Sequence, residues 1–359
     1  MTVNAKQAVP APAMSASSAL GKQMRKLLLT GTVTLFASLV LVVYLMPLAY
    51  AAAISLRGKS VDADAPIWPA APAKFTYEGQ SYDIFKVPLD GTIKRMAIIK
   101  KGREKSTLID IANPSQPIEW QGRWRTLDRV WTFSPQWQNY TEAWQTINFG
   151  RLFLNTFLIG FIGMVGTVVS STLVAYGFSR FRIPGKSILF MILIGTIILP
   201  PQVTLLPTYA MFSRIGWVGT WLPLLVPHFF ANAYNVFLLR QFFMGIPREM
   251  DEAAMIDGAS PFRTLISVIL PQAAPALLAV CLFHFFWAWN DFFGPLIYLV
   301  GRESLWPISV GMTYFNGAYS QMPHLIQATA IMALALPMGI FLVAQRVFMQ
   351  GVVVTGVDK

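Results

Sequence analysis

Cysteine, histidine and charge are all scarce in this chain of 359 residues, and each scarcity removes a class of function. With Cys281 as the only cysteine, no intramolecular disulfide can form. The three histidines, His228, His284 and His324, are scattered, so no Cys/His metal motif is present and no metal is expected. Charged residues make up 13% of the chain, about half of what a soluble domain carries. Acidic residues are the rarer sign, and the net charge is +11. The basic residues flank apolar runs instead of forming one stripe, which argues against a nucleic-acid partner. A phosphate-cradling loop is missing too. Gly185-Lys186-Ser187 has the ending of such a loop, but the glycine required five residues before Gly185 is Arg180. No Ser-His-Asp set and no paired catalytic carboxylates emerge, so no catalytic residue is expected.

Apolar sequence is what the chain has in quantity. Hydrophobic residues make up 55% of it, and the mean hydropathy is +0.51. Runs of about 20 apolar residues can cross a bilayer as helices. Six are present, near Leu27–Ile54, Leu152–Phe178, Ser187–Phe212, Leu222–Phe243, Ala273–Val300 and Ile326–Phe348. The expected fold class is an all-α polytopic membrane protein with six transmembrane helices, the first (27–54) uncleaved after a tail over 1–26. Pro200-Pro201 interrupts the third run, which should kink there or end and restart. Lys6, Lys22, Arg25 and Lys26 precede the first run, and Arg180, Arg182, Lys186, Arg240, Arg248, Arg263 and Arg346 fall on the same side. The short loops opposite offer only Arg214 and Arg302, so both termini are expected in the cytoplasm.

Residues 55–150 form a polar segment on the outer side in this orientation. Phe75–Tyr77, Ser81–Val87, Ile93–Lys100 and Arg103–Ile111 read as short strands, with turns at Gly79, Asp90-Gly91 and Lys101-Gly102. A small β-rich extracytoplasmic insert between the first and second helices is expected.

Within the core, residues 151–350, a polar hook over 247–271 separates two apolar runs. Pro247 suits a first helical turn, and Glu249, Asp251 and Glu252 favour the positive end of its dipole. Gly258 can end that helix in the left-handed conformation, Ser260-Pro261 reads as the start of a second, and Pro271 bends the chain again. Glu252-Ala253-Ala254, three residues, Gly258, nine residues, and Val268-Ile269-Leu270-Pro271 together resemble the EAA loop of inner-membrane permease subunits of binding-protein-dependent ABC importers. Val268 stands where the family has Ile. The resemblance implies the type I ABC importer permease fold and alternating access. It also implies that Glu252, Ala253, Ala254, Gly258, Leu270 and Pro271 couple the chain to a separate ATPase.

Tyr176–Lys186, Leu199–Pro207, Phe237–Phe243, Trp287–Phe292 and Gln345–Gly351 narrow the resemblance to the carbohydrate-uptake, maltose-type branch, over about Asn139 to Lys359. That branch implies a second homologous permease subunit, two ATPase subunits that hold ATP and Mg, an extracytoplasmic solute-binding protein and a sugar substrate. No cofactor is then bound by this chain, which sits in the bacterial inner membrane. The loop Gly301–Pro323 resembles the one that reaches into the binding protein, which marks Tyr314, Asn316 and Tyr319. The tail 351–359 resembles one that lies against the ATPase pair. Asn290, Asp291 and Trp287 are candidates for the translocation path, since polar groups inside a span usually face a wet cavity. In the maltose-type pair, however, the partner permease holds the sugar. The insert reads either as a docking surface for the binding protein or partner permease, or as a solvated addition. A polyol or glycerol-phosphate importer shares every motif above. A lone secondary sugar transporter and a membrane-embedded enzyme acting on lipid or sugar donors are the more distant alternatives.

Overall fold

The computed structural model describes residues 16–59, 65–89, 91–114, 116–317 and 321–354. Contacts divide the chain into two units, residues 1–53 and residues 54–359. The first unit holds a single helix, α1 (Ala16–Ser55), whose last two residues belong to the second. Residues 16–26, expected as tail, are helical, because extending a formed helix by one residue is far easier than nucleating one. None of the apolar window within Gln23–Ser55 is buried.

Eight strands fall within residues 70–133: β1 (Ala70–Pro72), β2 (Lys74–Tyr77), β3 (Gln80–Leu89), β4 (Thr92–Lys100), β5 (Lys105–Asp110), β6 (Pro117–Gln121), β7 (Asp128–Arg129) and β8 (Trp131–Phe133). Strands β2 to β6 pair in sequence order as an antiparallel meander, β7 adds beside β3, and β1 pairs with β8. The β2–β3 turn has Glu78 and Gly79 at φ 49° and 77°, the primed-turn geometry that follows the twist of the strands. Side chains alternate faces along a strand, so Phe85 and Val87 of β3, Met96 and Ile98 of β4 and Leu108 of β5 meet in a separate small core. Strands β1, β7 and β8, two or three residues each, are too short to carry a pattern in sequence, and β6, where Ile118 and Trp120 alternate with polar residues, also lies outside the expected strands.

Helix α2 (Gln138–Thr146) is fastened by Asn139, whose Nδ2 donates to the carbonyls of Ser55 and Arg57 at 2.8 and 2.7 Å. Asn148 follows at φ 52°, a conformation asparagine tolerates, and starts α3 (Phe149–Arg180). The buried face of α3 carries Thr156, Gly160, Gly163, Thr167, Ser171 and Ala175, a small residue every third or fourth position. Such a stripe lets neighbouring backbones approach closely where lipid supplies no hydrophobic drive. Next come α4 (Lys186–Gly195), α5 (Pro201–Arg214), α6 (Leu222–Leu225) and α7 (Ala233–Gly245). The third apolar run ends and restarts at Leu199-Pro200, where its two halves are bent by 98°. Elements α8 (Arg248–Ile256), α9 (Pro261–Thr264), α10 (Leu270–Gln272), α11 (Ala274–Asn290), α12 (Phe293–Tyr298), α13 (Ile308–Gly311) and α14 (Pro323–Val354) complete the chain. Among the described residues four helices are long and apolar enough to cross a membrane, or six if each of two bent pairs is one span. Helix α3 lies at the centre, with Ala175 and Tyr176 packed on Val236, Leu239 and Phe243 of α7 and on Val280 of α11. Its other end packs Phe149 and Leu152 on Phe285 and Trp289.

Leu108→Ala should cost the strand region about 2–5 kcal/mol through the cavity it leaves. Limited trypsinolysis at the lysines of β4 and β5 is then expected to speed up, with the helical fragments of α3 and α11 released no faster.

Candidate functional site

The hook is built as two short helices around one glycine. Pro247 stands at the N-cap of α8, one place before the first helical turn, and Glu249 and Asp251 occupy that turn. Gly258 lies at φ 77°, which no residue with a Cβ adopts cheaply. Its N–H donates to the Met255 carbonyl and that of Ala259 to the Ala254 carbonyl, closing the end of α8. Ser260 then caps α9, its Oγ accepting from the Arg263 N–H at 3.3 Å, with Pro261 in the first turn. Pro271 has no N–H to give the Ser267 carbonyl. The turn before it, Leu265–Ile269, is a π-helix. The chain finally bends by 82° between the Pro261–Gln272 stretch and α11.

One side of the hook is fastened to the end of α3. Arg180 Nε lies 2.9 Å from Asp251 Oδ2, with side chains only 8% and 11% exposed. The same guanidinium donates from Nη2 to the Ile246 carbonyl at 3.0 Å, just ahead of α8. Tyr176 donates its hydroxyl proton to the Pro261 carbonyl at 3.0 Å, on the far side of Gly258. Arg240 of α7 donates to the Phe178 carbonyl at 3.3 Å, satisfying one of the terminal carbonyls of α3. Burial pushes the Asp251 carboxyl above its ordinary range, and the Arg180 guanidinium works against that rise. The opposite side of the hook is bare. Glu252, Ala253 and Met255 are exposed, Ile256 is 86% exposed and Phe262 63%. Ala254 is buried, so its small size serves packing inside this chain, while Ala253 faces outward. Leu270 is half-buried against the α3–α7–α11 core, and Pro271 is exposed.

Beyond α11 the candidate path residues separate. Trp287 and Asp291 line a cavity of about 970 Å³ between α5, the α6 region and α11–α12. Asn290 does not line it; its Nδ2 donates to the Phe286 carbonyl of its own helix. Trp289, next to it, is buried among Phe149, Leu152 and Phe285. In the outer loop Tyr314 is exposed and Phe315 beneath it is fully buried. Asn316 forms a bridge with Gln321, and Tyr319 lies outside the described residues.

Residues 166–353, more than half of the chain, match the family described as the binding-protein-dependent transport system inner membrane component. The chain belongs to this family. Its relatives include an osmoprotective compounds uptake permease protein of Synechocystis sp., 29% identical over 62% of this chain and 74% of that protein. An alpha-glucoside transport system permease protein of Rhizobium meliloti is 27% identical over 59% of this chain and 58% of that protein. A sn-glycerol-3-phosphate transport system permease protein of the same species is 32% identical over 61% and 80%. In three dimensions the chain resembles a bacterial ABC transporter involved in the import of the acidic polysaccharide alginate. The TM-score is 0.58 at 20% identity, over 94% of this chain and 99% of that one. That likeness shows the helical fold of an importer permease.

For an inner membrane component of this kind, the sequence pattern found the hook but not what holds it. Arg180 stood out only as a basic residue flanking an apolar run. Its spacing of 71 positions from Asp251 carries no local signal, and only the packing of α3 against the hook pairs them. Removing either partner of a buried ion pair strands the other charge, at a cost of about 3–5 kcal/mol. Arg180→Ala and Asp251→Ala are each expected to speed amide hydrogen exchange across α8 with α11 unchanged. Combining Arg180→Asp with Asp251→Arg should recover part of the protection.

Proposed function

We propose that this chain is the transmembrane permease subunit of an ATP-driven importer for a carbohydrate or polyol, working by alternating access. The hook is the coupling element, and the observation that carries this reading is its two-sidedness. Its inner side is fastened to α3 by Arg180, Asp251 and Tyr176. Its outer side offers an apolar patch of Met255, Ile256 and Phe262 beside Glu252 and Ala253. An exposed apolar cluster rimmed by charge is what a protein partner covers. A push on the outer side passes to α3, whose other contacts reach α7 and α11.

In this reading two ATPase subunits hold ATP and Mg and carry out hydrolysis, a second permease completes the pathway, and an extracytoplasmic binding protein delivers the solute. Six spans, each bent pair counted as one, put both termini and the hook in the cytoplasm. The β-rich region and the loop with Tyr314, Asn316 and Tyr319 then face outward, toward the binding protein. The distribution of Lys and Arg supports that orientation. The alpha-glucoside relative supports a hydroxyl-rich solute. Glycerol phosphate is the second reading, favoured by the 32% identity to the glycerol-phosphate permease.

Co-expressed with the adjoining permease and ATPase, the wild-type chain should retain the ATPase in a pull-down and stimulate its turnover. Gly258→Pro, correctly inserted, should lose both, because proline cannot take the φ of 77° that turns the hook. Unchanged retention by the variant, or none by the wild type, would remove the hook from the coupling role.

A further inference from the structure

The cavity between α5, the α6 region and α11–α12 combines three properties that bear on its occupant. It is large, about 970 Å³. Its wall is mostly apolar, with Trp287 presenting a 56% exposed indole. Its polar groups are few: the hydroxyls of Thr204, Thr208 and Tyr298, the His228 imidazole and the Asp291 carboxyl, and among the described residues no lysine or arginine lines it.

These groups are held in place. Thr208 Oγ1 and the Tyr298 hydroxyl are 3.2 Å apart. Asp291 accepts the Gly294 N–H on Oδ1 at 3.2 Å, and its backbone carbonyl accepts from Ser309 Oγ at 2.6 Å. Behind His228 stands His284, its ring centroid 4.5 Å away and its Nδ1 3.2 Å from Thr167 Oγ1. Both rings press on Gly163 of α3. A Cβ there would meet His284 Nε2 at 2.9 Å and His228 Cδ2 at 3.2 Å. His284 is 7% exposed, and its Nε2 has no hydrogen-bond partner among the described residues. Burying imidazoles inside an apolar bundle is costly, and the glycine that admits them makes this a built feature, not a packing accident.

We infer that this cavity is a solute subsite for a neutral, polyhydroxylated molecule, a glycoside or polyol without phosphate or carboxylate. The inference rests on the permease reading above and names its substrate class. The Trp287 ring suits the apolar face of a sugar ring, and the polar groups around it can exchange hydrogen bonds with hydroxyls. An anion would leave water for a mostly apolar cavity in which no lysine or arginine among the described residues offsets its charge, with the acidic Asp291 side chain beside it. Phosphorylated and acidic solutes are thereby disfavoured at this subsite. This subunit then takes part in holding the solute instead of leaving it wholly to the partner permease.

The test uses the assembled importer, with Met211→Cys as a reporter in a Cys281→Ser chain. Met211 lines the cavity, is 49% exposed and has no role in the proposed contacts. Thiol labelling is followed with methyl α-glucoside, sorbitol, glucuronate and glycerol 3-phosphate at equal molarity. A bound solute at twice its dissociation constant slows labelling about threefold. Slowing by methyl α-glucoside or sorbitol, but not by the two anions, is expected. Trp287→Ala should abolish that slowing, measured against the same variant's own labelling rate without solute. Protection by the anions as strong as by the neutral pair, or by none of the four, overturns the inference. So does a cysteine that labels in the isolated chain but not in the complex, since the partner permease would then fill the cavity. ATPase retention, measured on the same preparations, separates these outcomes from failure of the permease reading.

Discussion

The contact between Arg180 and Asp251 ties the hook to the central helix α3. A guanidinium at the last turn of α3 and a carboxylate in the first turn of α8 are both withdrawn from water. Neither charge would be tolerated there without the other. The pair, the bond from Arg180 to the Ile246 carbonyl and the bond from Tyr176 to the Pro261 carbonyl grip the hook on both sides of Gly258. A hook held at one point could swivel on its glycine. Held at three, it is fixed in position and direction against the end of α3.

That constraint gives meaning to the small-residue stripe of α3. Thr156, Gly160, Gly163, Thr167, Ser171 and Ala175 let α3 lie close to its neighbours over nearly its whole length. The same helix packs on α7 and α11, and its Gly163 borders the two histidines behind the cavity. The hook is tied to the last turn of α3, and the histidines behind the cavity rest on its middle, at Gly163. The chain bends by 98° between α4 and α5 and by 82° before α11.

Much of this was legible in the chain alone. The hook could be read because its chemistry is local: a glycine at φ 77°, a serine cap and two prolines act within a few residues of their own positions. The apolar runs were legible for the same reason, and so was the break at Pro200-Pro201. The start of α1 was not, because helix extends through residues 16–26 that carry no strong pattern. Asn290 and Asp291 looked equivalent in sequence. A helix terminus between them turned one back on its own backbone and the other into the cavity.

Sequence by itself determined the class of this protein: long apolar runs that only a bilayer satisfies, and a hook motif whose spacing places it in its family. Tertiary structure alone decided the long-range pairings. Arg180 finds Asp251, Thr208 finds Tyr298, and His228 finds His284 across gaps of dozens of residues. Local conformational preference reaches only a turn or so along the chain, whereas these contacts are set by which helix faces pack together. The stripe on α3 dictates that packing, and nothing short of the folded bundle reveals which side chains it brings together.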